Sequence, residues 1–94
     1  MTARILVVDD QQDICWILSQ LLEDAGYAVS TAADGQEALE VAAKQPPDLV
    51  LMDVRMPGLD GMTALERLKQ REPHLPVIML TAYGEVPSAV QAMK

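Results

Sequence analysis

Leu49-Val50-Leu51-Met52-Asp53 is apolar at four successive positions and then ends on a carboxylate. A strand with one wet face alternates apolar and polar residues. This one does not, so it reads as a strand covered on both faces, as in a parallel sheet. Ile5-Leu6-Val7-Val8 repeats the pattern and runs into Asp9 and Asp10; Val77-Ile78-Met79-Leu80 repeats it again and runs into Thr81. Ala28-Val29-Ser30-Thr31-Ala32 is half polar and reads as an exposed edge strand.

Between these runs the period changes. Ile14, Ile17, Leu18, Leu21, Leu22 and Ala25 recur at helical spacing and form one apolar stripe. Asp13 is its expected N-cap and Gly26 its stop. A second helix is expected from about Gly35 to Lys44, ended by Pro46-Pro47. A third is expected from about Gly61 to Arg71, with Met62, Leu65 and Leu68 inward, and a fourth from near Val86 or Pro87. Strands alternating with helices predict an α/β fold with a doubly wound parallel sheet. Right-handed crossovers and a weak second strand at an edge favour the order 2-1-3-4. Ligands of such sheets bind beyond the carboxyl ends of the strands, where the winding reverses. Asp9, Asp10, Asp53 and Thr81 all fall there.

Length and charge narrow the function. The 94 residues suffice for one domain, residues 1–94. Half the residues are hydrophobic, which excludes a disordered acidic tail. Fourteen acidic and seven basic residues give a net charge of −7, which argues against direct nucleic-acid binding. The aromatics are Trp16, Tyr27 and Tyr83, too few for a base-stacking platform. One cysteine, Cys15, and one histidine, His74, rule out a disulfide framework and a Cys/His zinc site. No apolar run is long enough for a membrane span, and the amino terminus does not read as a signal peptide. The expected location is cytoplasmic, without a membrane partner.

The acidic cluster has its own chemistry. Carboxylates packed together repel one another unless a cation sits between them. With only oxygen donors the fitting ion is hard, Mg²⁺ rather than Zn²⁺. A metal beside a carboxylate, with a hydroxyl opposite, suits an incoming phosphoryl group. Taken singly, each residue has a plainer reading. An Asp pair at a strand end commonly caps the next helix, a lone Asp there is commonly a turn residue, and Thr81 alone is an ordinary strand-end residue.

The pieces ILVVDD at 5–10, the Asp34-Gly35 turn before EALE, DLVLMDVRMPGLDGM at 48–62 and PVIMLTAYG at 76–84 together resemble the receiver domain of two-component response regulators. Trp16 in ICWIL and the segment TAYGEVPSAVQAMK favour the nitrogen-regulation, enhancer-binding activators within that family. The resemblance implies a flavodoxin-like fold and a signalling switch rather than an enzyme. Asp53 would accept phosphate from a sensor histidine kinase, and Asp10 and Asp53 would bind Mg²⁺ directly. Asp9 would hold the ion through water, and Arg55 would offer its backbone carbonyl. Thr81 would move its hydroxyl onto the phosphoryl oxygen and couple phosphorylation to a conformational change that regulates transcription. Ala82 would leave room for phosphate, and Pro57 and Gly61 would shape the loop over the site. Receivers also carry a fifth strand, a lysine on the loop after it and a fifth helix. Lys94 does not match that lysine, so the chain reads as a receiver truncated before those elements. An unpaired fourth strand would then favour self-association.

Two other readings compete. A Mg²⁺-dependent phosphatase with an aspartate nucleophile would need its two acids spaced two apart after the first strand, and extra loops to exclude water. A receiver-like interaction module that takes no phosphate would be expected to lose some of Asp9, Asp10, Asp53 and Thr81, yet all are present. Trp16 lies off the apolar stripe, either under further structure or on a docking face. Cys15 reads as inert, and His74 as a loop residue.

Overall fold

A computed structural model describes residues 2–53 and 61–80. Its elements run β1 (Arg4–Val8), α1 (Gln12–Asp24), β2 (Ala28–Ala32), α2 (Gly35–Lys44), β3 (Leu49–Asp53), α3 (Gly61–Arg71) and β4 (Val77–Leu80). All strand pairs are parallel and the sheet order is β2-β1-β3-β4, as the apolar runs and the weak second strand predict. The fourth helix expected near Val86 lies outside the described residues.

Alternation along the strands sends side chains to two apolar layers. Leu6, Val8, Val50, Met52, Val77 and Met79 pack beneath Ala38 and Leu39 of α2 and Ala64, Leu65 and Leu68 of α3. Ile5 and Val7 pack on the other face against Cys15, with Leu18, Leu22, Val29, Leu49 and Leu51 around them. The first layer is closed. On the second, α1 is the one described helix, so Leu49 and Leu51 stay half-buried while Val50 and Met52 are fully buried.

The chain ends of the helices follow local chemistry. Gly26 adopts φ 98°, a conformation that strains other residues. It lets the Tyr27 N–H reach the Leu22 carbonyl and the Gly26 N–H reach the Glu23 carbonyl, which satisfies the last turn of α1. Asp34 caps α2 by accepting from the Glu37 N–H at 2.8 Å, and the Glu37 carboxylate accepts from the Ala33 N–H. At the amino ends of the strands, Arg4 donates to Ser30 and Gln45 through its guanidinium, and its N–H donates to the Asp48 carboxylate. This polar clamp joins β1, β2 and the start of β3 on the side away from the acids.

Two expectations about α1 are corrected. The N-cap is Gln11, not Asp13, and Gln11 makes no side-chain cap. The chain runs one more ladder step past β1, with the Asp9 N–H on the Ala32 carbonyl, so the helix starts before Asp13. Nor is the apolar stripe all inward. Ile17 and Leu21 are 48% and 61% exposed, and Ala25 is exposed. The helix leans on β1 and β2 through Cys15, Leu18 and Leu22, and the far half of the stripe faces away from them.

Candidate functional site

β1 and β3 are neighbours in register, with Val8 opposite Met52. The residues that follow, Asp9 and Asp53, therefore end beside each other. The chain leaves β1 towards β2 on one side, and leaves β3 towards β4 on the other. The helices that follow these two strands, α1 and α3, lie on opposite faces of the sheet and open a crevice at the carboxyl ends. Asp9, Asp10 and Asp53 each place a carboxylate oxygen there, all within 4.8 Å of one another.

The three acids differ in surroundings. Asp9 is 7% exposed, Asp53 half-buried and Asp10 exposed. The Asp9 carboxylate accepts from the Gln11 N–H at 2.9 Å, so it quiets one free donor at the start of α1. The Asp9 carbonyl accepts from the Cys15 thiol at 3.3 Å. Burial pushes the Asp9 carboxyl above the usual carboxylate range, and the charges of Asp53 and Asp10 push it further; the Gln11 N–H pulls the other way. Burial also raises the Cys15 thiol, with the Asp9 charge adding to it, so the group stays protonated and donates.

A cluster of hard oxygen donors that destabilise one another fits a divalent hard cation. The structure brings Asp9, Asp10 and Asp53 together. Arg55, Pro57, Thr81 and Ala82 lie outside the described residues, and Gly61 opens α3. Trp16 is 65% exposed on the outer side of α1. His74 lies in the link between α3 and β4, away from the acids, as a loop residue would. Sequence reasoning missed the bond from Cys15 to Asp9. Its signal is weak: a small thiol six residues after Asp9, at the one buried position of α1.

Comparison with known proteins identifies the family of the fold. The response regulator receiver domain family matches residues 5–94. The DNA-binding transcriptional regulator NtrC of Escherichia coli K12 is 46% identical over 88 residues, which are 94% of this chain and 19% of that protein. The sporulation initiation phosphotransferase F of Bacillus subtilis is 43% identical over 86 residues, 92% of this chain and 69% of the relative. The crystal structure of the receiver domain of NtrX from Brucella abortus superposes with a TM-score of 0.86 at 39% identity, covering 94% of this chain and 75% of that one. The chain thus spans less than a fifth of the length of NtrC.

The raised Asp9 carboxyl fixes the sign of a pH effect. A group whose folded pKa exceeds its unfolded one favours folding when protonated and opposes it when ionised. Without metal, Asp9→Asn is expected to be more stable than wild type at neutral pH. That advantage should shrink as pH falls through the raised Asp9 pKa and vanish below the ordinary value of 3.8. Urea unfolding of both proteins across pH measures it; an advantage that is constant with pH contradicts the assignment.

Proposed function

This chain belongs to the response regulator receiver family, and on that premise we propose that it acts as one phosphoacceptor domain in which Asp53 takes a phosphoryl group from a histidine of a sensor kinase. The observation that carries this reading is the meeting of three carboxylates within 4.8 Å at the switch point of the sheet. Asp53 is the proposed nucleophile because it ends the strand between β1 and β4. It pairs in register with Leu80, the residue before Thr81 in the sequence.

In the proposed reaction a carboxylate oxygen of Asp53 attacks the phosphorus in line, and the bond from phosphorus to the imidazole nitrogen breaks. The leaving nitrogen keeps the electron pair and takes up a proton, so the histidine returns neutral. Asp9, Asp10, Asp53 and the Arg55 carbonyl would hold Mg²⁺, which when bound would supply charge neutralisation for the phosphoryl oxygens. The buried Asp9, fixed by Gln11, keeps its carboxylate aimed at the crevice. Ala82 leaves space for the phosphoryl group. The Thr81 hydroxyl then donates to a phosphoryl oxygen and couples the new charge to a shift that controls output. By analogy with NtrC the output is transcription. The domain turns over no other substrate, works in the cytoplasm, binds no nucleic acid itself and meets no membrane. No described helix is long and apolar enough to cross a membrane.

We also propose that the 94-residue chain associates with itself. β4 lies at one edge of the described sheet, and Trp16, Ile17 and Leu21 stand exposed on α1. Exposed apolar surface of this kind favours contact between copies. Sedimentation should give a mass that rises with concentration; a fixed monomer mass contradicts it.

Mass spectrometry after incubation with acetyl phosphate and Mg²⁺ tests the main reading. Wild type should gain one phosphoryl group, located on Asp53, and Asp53→Asn should gain none. An adduct on Asp9 or Asp10 would overturn the role of Asp53. Steady hydrolysis of other phosphate esters would favour a phosphatase, and no adduct at all an interaction module.

A further inference from the structure

Cys15 occupies a place that packing alone does not explain. It is the one buried residue of α1 and packs with the layer of Ile5 and Val7, where an alanine or valine would also serve. Yet its thiol also donates to the Asp9 carbonyl at 3.3 Å, across six residues of chain. That carbonyl is the oxygen of the peptide unit joining Asp9 to Asp10. A peptide unit is planar, so holding its oxygen fixes the plane from which the Asp10 N–Cα bond departs. The preceding peptide is already held by the ladder, through the Asp9 N–H on the Ala32 carbonyl. Asp10 itself is exposed and lies beyond β1.

We propose that Cys15 is a positioning residue of the carboxylate cluster, its thiol fixing through the Asp9 carbonyl the direction in which Asp10 presents its oxygens to a divalent cation. The inference rests on the Mg²⁺-binding reading above. Two contacts at Asp9, those with Ala32 and Gln11, use main-chain N–H groups that almost any residue supplies. The contact with Cys15 depends on a side chain, so this position can tune the site. Loss of a group that orients a metal ligand from outside the coordination shell typically costs about 10- to 100-fold in affinity. A thiol is a weak donor, so the effect is at the small end.

The test uses the whole chain and Mn²⁺ as the probe, with electron paramagnetic resonance reading the free ion. Cys15→Val keeps the apolar bulk and loses the donor; Cys15→Ser keeps a donor. Cys15→Val should raise the Mn²⁺ dissociation constant about three- to tenfold, while Cys15→Ser stays within about twofold of wild type. Urea unfolding without metal runs in parallel, since a packing role moves stability and leaves affinity alone. Equal affinity in all three proteins would overturn the proposal. So would a Cys15→Ser as weak as Cys15→Val, because the donor would then be irrelevant. Wild type failing to bind Mn²⁺ would instead bring down the Mg²⁺-binding reading on which the proposal rests.

Discussion

Parallel register between β1 and β3 is the constraint from which the site follows. Because Val8 lies opposite Met52, the next residues of both strands must come out side by side, and both are aspartates. Asp10 adds a third carboxylate to the same crevice. Like charges this close, one of them mostly buried, oppose folding. The fold therefore carries a local electrostatic strain, which the proposed cation would relieve.

The rest of the molecule supplies the stiffness that this arrangement needs. The layer under α2 and α3 is closed around Leu6, Val8, Val50 and Met52, which fixes β1 and β3 against each other. Side chains in a packed interior interdigitate, so the strand ends above them cannot spread to relax the charges. Arg4, Ser30, Gln45 and Asp48 close the opposite ends of the strands. Asp9 is held at its N–H, its carbonyl and its carboxylate, by Ala32, Cys15 and Gln11 in turn. Asp9 is thus fixed in place before any ligand arrives.

Much of this was legible in the sequence. Continuous apolar strands announce burial on both faces, and the half-polar run 28–32 announces an edge, which together give the order found. Gly26 marks the end of α1 because a helix stop needs positive φ there. What escaped depends on the path of the chain in space. Periodicity says that Ile17 and Leu21 share a face with Leu18, but not which neighbour covers that face. A preference for Asp at N-caps favoured Asp13, yet β1 runs on by one ladder bond and the Asp9 carboxylate serves the Gln11 N–H from before the helix. The contact from Cys15 to Asp9 is set by how α1 leans on β1, which no spacing rule encodes.

The central claim is that the three carboxylates repel one another in the folded chain and that a divalent cation relieves them. Urea unfolding of wild type and Asp10→Asn over a Mg²⁺ titration tests it most directly. Wild-type stability should be flat below the dissociation constant and then climb about 1.4 kcal/mol per tenfold Mg²⁺, as binding to the folded state requires. Asp10→Asn should start out more stable than wild type and show no climb. A wild type indifferent to Mg²⁺, or an Asp10→Asn that starts less stable and climbs in parallel with wild type, would contradict the account.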